Sequence, residues 1–311
     1  MNNYKYKFPH VIRIEPSATC NLSCIHCPTG TYSNPVKGIM SKELFLKIKN
    51  EISKHYIKVA VLYMGGEPFI NKDFFFMVKE LKSINIPTIK TVSNGMLLNK
   101  QIIQSIIDSS LNEIEFSLDA TSSKLNDFIR KKSNHKTVIS NIKKLLDLKI
   151  KTNSNIKISI SSTQFKYMDA NNNLQSAKST WIEEEFNSYI KSKQLSINYT
   201  DAIKWSDMNL DTNIFDTITD ESDKQTNHCD HIVSTITIRS NGDIVPCCYD
   251  LTSKLIMGNI KNDKIENIWN NEQYLKLRKS IFEEKFYSIC STCSVVNKNQ
   301  FLTFKNIEEI C

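Results

Sequence analysis

The chain has 311 residues, a hydrophobic content of 40% and a formal net charge of +7, which suffice for one large domain or for a barrel with a small appendage. No apolar run approaches the roughly eighteen residues that a membrane span needs, and residues 1–9 lack the apolar stretch of a signal peptide. Basic residues are scattered along the chain. We therefore expect a cytoplasmic protein whose partners include neither a membrane nor a nucleic acid.

Short strand-like runs alternate with helix-like runs between residues 10 and 200, and the strand-like runs are rich in Ile, Val, Phe and Tyr. Six β/α units in series favour a parallel sheet but are too few to close an eight-stranded barrel. The predicted fold class is therefore α/β, a partial (β/α)6 TIM-like barrel with its active site at the carboxyl ends of the strands. The predicted strands are Val11–Glu15, Val59–Tyr63, Thr88–Ser93, Glu113–Leu118, Ile156–Ser161 and Ser196–Thr200.

Apolar residues at helical spacing predict amphipathic helices between these strands. Ser41 and Asn71 are predicted to cap two of the helices at their N-termini. The four predicted apolar faces are Leu44, Phe45, Ile48 and Ile52; Ile102, Ile103, Ile106 and Ile107; Val138, Ile142, Leu145 and Leu146; and Leu174, Ala177, Trp181 and Tyr189.

The sequence changes character after the sixth strand. Residues 203–228 are polar and acidic, which predicts a linker between a barrel at 1–202 and a small α+β domain at 229–311. Ser240–Gly242 stands between two short apolar runs and predicts a β-hairpin. The elements predicted in the small domain are the strands Thr235–Arg239 and Asp243–Val245 and helices near Ile265–Asn270 and Gln273–Phe282.

The distribution of the nine cysteines predicts two separate sites. An odd number of cysteines and the lack of a signal peptide argue against a disulfide framework. About 200 residues without cysteine separate the two groups, and the terminal Cys311 is expected to be free and functionally silent. The groups are Cys20, Cys24 and Cys27, and Cys229, Cys247, Cys248, Cys290 and Cys293.

Cys20, Cys24 and Cys27 follow the first predicted strand within one loop. Three thiolates at this spacing can occupy three corners of an iron–sulfur cubane and leave the fourth iron open to a substrate or a cofactor. A structural zinc site would need four closed ligands, which usually come as paired CxxC turns. His26 stands between two of the cysteines, and we expect its ring to point elsewhere.

This loop resembles the CxxxCxxC signature of the radical S-adenosylmethionine (SAM) superfamily. Met64–Pro68 ends the second strand and resembles the family's GGEP motif, and Ser93–Gly95 ends the third strand and resembles its (S/T)NG segment. Glu115–Asp119 ends the fourth strand and resembles its SLD segment. Arg130 falls where related enzymes carry an arginine on the following helix.

The resemblance implies that the three cysteines hold a [4Fe–4S] cluster and that SAM binds to the open iron. It implies that the GGEP residues receive the amino group of SAM, that the SLD residues lie near its ribose and carboxylate, and that Arg130 pairs with the carboxylate. The cofactor-binding residues predicted on this basis are Gly65, Gly66, Glu67, Pro68, Ser93, Asn94, Ser117, Asp119 and Arg130.

The second cysteine group resembles the front half of the SPASM domain, a C-terminal extension of many radical SAM enzymes. A full SPASM domain continues with further cysteines, and Asn299 stands where the next one is expected. The shorter twitch version holds one auxiliary [4Fe–4S] cluster through four cysteines, and a structural zinc site is the alternative. The ligands assigned on this basis are Cys229, Cys247, Cys290 and Cys293.

Cys248 adjoins one of these ligands, so the two neighbours are not expected to bind the same cubane. Two interpretations remain for Cys248. It is an inert buried thiol, or it is a catalytic residue that donates a hydrogen atom to a substrate radical. Cys247 and Cys248 could also exchange roles as the cluster ligand.

The resemblance also implies a reaction. An electron from a flavodoxin- or ferredoxin-type donor cleaves SAM to a 5′-deoxyadenosyl radical, which abstracts a hydrogen atom from the substrate. We expect a small sugar-like or amino-sugar substrate and a two-electron dehydrogenation, with the auxiliary cluster as electron acceptor.

Three alternatives stay open at this point. The first is redox-neutral epimerisation with Cys248 as the hydrogen donor. The second is modification of a ribosomal peptide, although about ten residues precede the first strand, so no fused N-terminal peptide-recognition domain is expected. The third is a non-catalytic iron–sulfur electron carrier, which would need neither the GGEP motif nor an open cluster.

Overall fold

The structure is a computed structural model that describes residues 2–31, 33–168, 174–176, 180–206, 208, 210–220, 222 and 225–305. The strands are β1 (Val11–Ile14), β2 (Val59–Val61), β3 (Thr88–Ser93), β4 (Glu113–Ser117), β5 (Lys157–Gln164), β6 (Lys166–Met168), β7 (Leu174–Ser176), β8 (Ser196–Asp201), β9 (Phe215–Thr219), β10 (Thr235–Ile238), β11 (Asp243–Val245), β12 (Gly258–Asn259) and β13 (Gln300–Phe304).

The helices are α1 (Lys42–Ile52), α2 (Phe74–Ser83), α3 (Lys100–Asp108), α4 (Ser123–Ile129), α5 (His135–Thr152), α6 (Trp181–Lys191), α7 (Asp230–Ser234), α8 (Ile265–Trp269), α9 (Glu272–Phe282) and α10 (Ser288–Ser291). Short 3-10 helices lie at Asn2–Tyr4 and Pro68–Ile70. In the part of the chain that the structure describes, no helix combines the length and the apolar character that a membrane crossing requires.

The main sheet has nine strands in the order β12-β11-β10-β1-β2-β3-β4-β5-β8. Within it, β1, β2, β3, β4, β5 and β8 pair in parallel and in chain order. Side chains alternate between the two faces of a strand, so Ile12 and Ile14 lie in the helix-packed core with Phe45. The predicted α/β fold with six parallel strands is confirmed.

The helix termini test two predicted caps. Ser41 caps α1, because its hydroxyl accepts the backbone N–H of Leu44 at 3.2 Å. Asn71 does not cap α2, which begins only at Phe74. A 3-10 turn that starts directly after the GGEP glutamate delays the helix, and the Asn71 amide donates instead to the carbonyl of Pro16.

The fourth predicted helix is wrong at its start. Leu174–Ser176 is strand β7, which pairs antiparallel with β6, and α6 begins at Trp181. A short run of mixed apolar and polar residues does not distinguish a helix from a strand by its period, and here strand pairing decided the conformation. Ala177 lies outside the described residues.

The segment predicted as a linker, 203–228, is not wholly irregular. It contains β9, which pairs antiparallel with β13 in a second sheet of order β7-β6-β13-β9. This sheet joins chain from both sides of the predicted linker. The domain bounds 1–202, 203–228 and 229–311 stay a prediction.

The C-terminal region extends the barrel sheet. Strand β10 pairs in parallel with β1, and β10 and β11 form the predicted hairpin. Gly242 in its turn has φ +94°, which a glycine adopts without strain. The second cysteine group therefore starts next to the strand that leads into the first one.

A buried ion pair joins these two neighbouring strands. Nε of Arg239 lies 2.9 Å from Oε2 of Glu15, and both side chains are fully buried. Glu15 also accepts the backbone N–H groups of Gly65 and Ser240. One carboxylate thus fixes the GGEP loop and the C-terminal hairpin to the end of β1.

Candidate active site

The cysteine loop leaves the carboxyl end of β1 and is held by backbone hydrogen bonds to the end of α4. Ser23 donates to the carbonyl of Lys131 at 2.9 Å, and Ile25 donates to that of Ile129 at 3.0 Å. The backbone N–H of Cys27 donates to the carbonyl of Cys24. The loop is therefore a tight turn fixed at one side, as a preformed ligand set requires.

The three thiols of this loop lie close enough to influence one another. Burial raises the pKa of Cys20 to about 11 and that of Cys24 to about 12, and the neighbouring Cys27 thiolate adds to both shifts. These shifts are compatible with an iron–sulfur cluster, because iron atoms would take the place of the protons and neutralise the thiolates. Cys20, Cys24 and Cys27 would hold the SAM-binding cluster.

A cavity of about 220 Å³ opens beside this loop at the carboxyl ends of β1 to β4. It brings together the three cysteines and most of the residues predicted to bind SAM. Pro68 and Asp119 do not line it among the described residues, because Pro68 starts the 3-10 turn and Asp119 is fully buried behind the wall. The predicted residues that line the cavity are Cys20, Cys24, Cys27, Gly65, Gly66, Glu67, Ser93, Asn94, Ser117 and Arg130.

Glu67 is the acidic residue of this cavity and is 2% exposed. Its carboxylate accepts the hydroxyl of Ser93 at 2.9 Å and the backbone N–H groups of Asn94 and Phe69 at 2.8 and 3.3 Å. Burial nevertheless raises the pKa of Glu67 to about 7. A carboxylate offers about four acceptor positions, so it can still receive one further donor such as an ammonium group.

Asn94 connects the third strand to the cysteine loop. Its side-chain amide donates to Oδ1 of Asn21 at 2.8 Å and lies 3.8 Å from Sγ of Cys20. Because its backbone N–H is bonded to Glu67, the (S/T)NG segment joins two motifs that are far apart in sequence. The segment positions the acidic side chain relative to the cysteines.

Arg130 and Asp119 form a buried ion pair beneath the cysteine loop. Nε of Arg130 lies 2.8 Å from Oδ2 of Asp119. Although burial alone opposes ionisation of Asp119, the Arg130 guanidinium holds the pKa of that carboxyl below its usual range. Arg130 also lines the cavity, so its predicted contact with the SAM carboxylate stays a prediction that the geometry permits.

His26 packs under the loop rather than extending into solvent. Its ring meets Phe165 edge-on at 5.9 Å, and Nε2 lies 3.9 Å from Oδ2 of Asp119. Burial lowers the pKa of His26 to about 4, so the ring is neutral at neutral pH. The structure therefore gives His26 a packing role beneath the cysteine loop.

Two glycines allow backbones to approach closely at this site. A Cβ at Gly66 would lie 2.4 Å from the carbonyl oxygen of Ser17 and 2.5 Å from that of Thr19. A Cβ at Gly30 would lie 2.2 Å from the carbonyl oxygen of Cys24. Gly66 belongs to a recognised motif, whereas nothing in the sequence pattern indicated Gly30.

The second cysteine group converges from three segments. Cys229 precedes α7, Cys247 follows β11, and Cys290 and Cys293 flank the end of α10. Burial raises the pKa of Cys247 well above its ordinary value, and the thiolates of Cys248, Cys293 and Cys229 raise it further. Because the thiolates of these segments act on the pKa of Cys247, the three segments lie close together.

Hydrogen-bond donors surround the sulfur atoms of this second group. The backbone N–H groups of His231 and Ile232 reach Cys229, while those of Val295 and Val296 reach Cys293. Burial still raises the pKa of Cys229 to about 11. Cysteine sulfurs with such donors fit an iron–sulfur cluster, since donors to the sulfurs help to set its reduction potential.

The structure reveals site residues that the sequence did not indicate. Tyr63 and Trp205 line the cavity beside the first cysteine group. The ring of Trp205 lies 5.3 Å from that of Tyr249, which directly follows Cys248. The aromatic pair therefore leads from the cavity to the second cysteine group, although Trp205 lies in the polar segment predicted as a linker.

Family models match both cysteine-bearing regions. The Radical SAM superfamily matches residues 14–160, and the iron–sulfur cluster-binding domain SPASM matches residues 229–294. The probable GTP 3′,8-cyclase of Methanocaldococcus jannaschii is 29% identical over 140 residues, which cover 45% of this chain and 46% of that protein. The chain thus spans about half the length of the curated cyclases that it matches.

Solved structures match nearly the whole chain at low identity. The crystal structure of BtrN in complex with AdoMet and 2-DOIA has a TM-score of 0.58 and 17% identity, and the match covers 93% of this chain and 94% of that one. Streptococcus suis SuiB bound to the precursor peptide SuiA has a TM-score of 0.53 and 17% identity over 89% of this chain and 68% of that one. These likenesses concern the fold.

The two matched regions contain all seven cysteines that were predicted to ligate iron. The cofactors implied by these two regions are SAM, a SAM-binding [4Fe–4S] cluster and auxiliary iron–sulfur clusters. The chain therefore belongs to the radical SAM superfamily and carries a C-terminal SPASM domain.

Proposed function

We propose that this radical SAM enzyme dehydrogenates a small, sugar-like or amino-sugar substrate by two electrons, with one auxiliary [4Fe–4S] cluster as the electron acceptor. One observation carries the proposal. Trp205 lines the cavity beside the first three cysteines, and its ring lies 5.3 Å from that of Tyr249, which directly follows Cys248 in the second cysteine group. We infer that a substrate held in this cavity would be near both redox groups.

The bound cluster and SAM supply a 5′-deoxyadenosyl radical that takes a hydrogen atom from the substrate. The protein provides orientation. Glu67 is proposed to receive the ammonium group of SAM, and its raised pKa of about 7 would fall again with a cation beside it. Ser93 and Asn94 fix the position of this carboxylate. Arg130 lines the same cavity and is proposed to pair with the SAM carboxylate.

The lining of the cavity supports a small polar substrate. Ser117 and Arg130 offer polar groups, while Tyr63 and Trp205 offer aromatic faces. Small-molecule sites commonly combine apolar walls with a few placed polar groups. The fold of BtrN, which was crystallised with 2-DOIA, matches this chain over almost the full length of both. Because the two chains match from end to end, this likeness also favours a small substrate.

The four auxiliary cysteines support the role of acceptor. If Cys229, Cys247, Cys290 and Cys293 all bind iron, no coordination position is left for a substrate. The cluster then exchanges electrons only. After hydrogen abstraction the substrate radical loses one proton and one electron to become a carbonyl, and a flavodoxin- or ferredoxin-type protein is the proposed partner that supplies the electron for SAM cleavage.

The test is turnover of the reconstituted enzyme under anaerobic conditions with SAM and a panel of sugars, amino sugars and peptides. The proposal predicts a small-molecule product that has lost two hydrogens, with one 5′-deoxyadenosine formed for each product. A product of unchanged mass in ordinary water that gains one deuterium when turnover is run in deuterium oxide would establish epimerisation instead. A mass change on a peptide, with no change on any sugar, would establish peptide modification.

Cys248 provides a second arm of this test. Among the described residues that line the cavity, Cys248 does not occur, which favours dehydrogenation over hydrogen donation by this thiol. We expect Cys248→Ala to retain the dehydrogenated product. If the wild-type product is instead an epimer, and Cys248→Ala abolishes it with unchanged 5′-deoxyadenosine formation and unchanged iron content, Cys248 is the hydrogen donor.

A further inference from the structure

Arg13 is a buried cation in the interior of the barrel. It lies on β1 between Ile12 and Ile14, which face the helices, so its side chain faces the opposite side of the sheet. The side chain is 8% exposed. A charged group in such a position needs a partner, because burial of an unpaired charge costs several kcal/mol or more.

Two other arginines near the cysteine sites pair with a carboxylate. Arg239 pairs with Glu15, and Arg130 pairs with Asp119. Arg13 differs from both, because no ion pair with a carboxylate occurs for it among the described residues, and its Nε and Nη1 find no hydrogen-bond partner there. Two of its three nitrogen atoms are thus buried and unsatisfied in the polypeptide alone.

The groups around Arg13 belong to the auxiliary cysteine region. Its guanidinium lies within hydrogen-bonding distance of the sulfur of Cys248. The negative charges of Cys248 and Cys247 both raise the pKa of Arg13. The guanidinium carbon lies 5.3 Å from the ring centre of Tyr63.

We propose that Arg13 is a tuning residue, whose buried positive charge raises the reduction potential of the auxiliary iron–sulfur cluster and so makes that cluster a better electron acceptor. The inference rests on the proposed function, since it assumes an auxiliary cluster at these cysteines. A cluster with four thiolates is negatively charged and becomes more so when it accepts an electron. A fixed cation nearby stabilises the reduced state more than the oxidised state, and charge and hydrogen bonds at the sulfurs are established determinants of cluster potential.

The position of Arg13 also makes the effect selective. The charges that act on Arg13 most strongly are those of Cys248, Tyr63 and Cys247, which lie away from the first cysteine loop in sequence. Arg130, the cation beside the first cluster, is neutralised by Asp119. The arrangement thus provides a cation with no carboxylate partner among the described residues for the cluster that accepts an electron, and a carboxylate-paired cation for the cluster that must donate one to SAM.

The test measures midpoint potentials by EPR-monitored redox titration of the full chain after cluster reconstitution. A background with Cys20→Ala, Cys24→Ala and Cys27→Ala isolates the auxiliary cluster. In this background, Arg13→Gln should lower the potential so that the equilibrium constant for accepting the electron falls about tenfold or more, which is about 59 mV for a one-electron couple. Arg13→Lys keeps the charge and should retain most of the wild-type potential.

A second background serves as the control. Cys290→Ala removes an auxiliary ligand and leaves the first cluster, whose potential should not change when Arg13→Gln is added. If the Gln variant does not fold, Arg13→Met provides the same comparison, because an apolar side chain of similar length removes the charge without adding polar atoms.

The outcomes separate this inference from the function on which it rests. An auxiliary cluster whose potential is the same with Arg13, Gln and Met overturns the role of Arg13 and leaves the proposed acceptor in place. A shift of equal size for Lys and Gln also overturns it, because the charge would then be irrelevant. Absence of any iron–sulfur cluster from the triple alanine background contradicts the auxiliary cluster itself, and the inference falls with it.

Discussion

The two cysteine sites of this protein are built in opposite ways. Cys20, Cys24 and Cys27 come from one loop that backbone hydrogen bonds fix to the barrel, whereas the second set comes from three segments between Cys229 and Cys293. The first site is local in sequence and faces a cavity. The second depends on tertiary structure and is enclosed by donors and aromatic rings.

This difference separates the roles of the two sites. Three cysteines that border a cavity leave room for a ligand at the metal, which suits catalysis. Four cysteines in a closed region suit a group that exchanges electrons without binding substrate. Substitutions that affect one site and not the other therefore test the assignment.

The largest effect is expected at the open site. Cys24→Ala removes one of the three predicted ligands, and we expect 5′-deoxyadenosine formation to fall by more than roughly 100-fold. Loss of a residue that only hydrogen-bonds to a metal ligand already lowers metal affinity or activity by about 10–100-fold. The measurement is anaerobic turnover with dithionite and SAM, together with iron analysis. Near-normal 5′-deoxyadenosine formation in this variant would show that the cluster does not depend on Cys24.

The corresponding change at the closed site should have a different effect. Cys290→Ala is expected to reduce iron from about eight to about four atoms per chain, and to abolish product formation while SAM cleavage continues. Iron content and the ratio of 5′-deoxyadenosine to product report these two effects. If the product still forms in equal amount to 5′-deoxyadenosine, the auxiliary cluster is not the electron acceptor.

The buried ion pair under the first site should control stability. Asp119→Asn leaves Arg130 as an unpaired buried cation, and we expect a loss of about 3–5 kcal/mol in the free energy of unfolding. Glu185→Gln is the matched control, because its pair with Lys143 is exposed and should contribute about 0–1 kcal/mol. Denaturant unfolding of the cluster-free chains measures both. Equal losses of unfolding free energy in the two variants would show that the buried pair stabilises the fold no more than the exposed pair does.

A smaller effect depends on pH. Burial raises the pKa of Glu67 in the folded chain to about 7 from the ordinary 4.5, so the folded state holds this proton more tightly than the unfolded state. Its contribution to stability is full below pH 4.5 and is lost as pH rises through about 7, by about 3 kcal/mol in total. Glu67→Gln should remove this component of the pH dependence. Unfolding curves of the SAM-free chain from pH 4.5 to 8 measure this component. If the unfolding free energy depends on pH with the same slope in the wild type and in Glu67→Gln, the raised pKa of Glu67 is contradicted.

Much of the first site was predictable from sequence, because its signals are local. The cysteine spacing, the glycines of the GGEP motif and the strand ends each fall within a few residues, so recognising the strands was enough to bring them together. The helix predicted from Leu174 was wrong because a short run carries too little periodicity. Long helices such as α5 gave a clear pattern.

The interior contacts were not predictable in this way. Glu15 and Arg239 are 224 residues apart, and neither belongs to a motif. Arg13 is a single charged residue in an apolar strand. Its proposed role can be inferred only from the tertiary structure, in which β10 and the residues after β11 lie beside β1. Trp205 lies in a polar segment that looked like a linker. These residues connect the two sites, and such connections are set by packing between distant segments.

The measurement that tests the central claim most directly is EPR spectroscopy of the first cluster with and without SAM. The Cys290→Ala variant isolates this cluster, and the reduced sample is compared before and after SAM is added. We predict a changed spectrum, because SAM binds the iron that Cys20, Cys24 and Cys27 leave open, and 5′-deoxyadenosine on warming. An unchanged spectrum with no 5′-deoxyadenosine would contradict an open iron at this site.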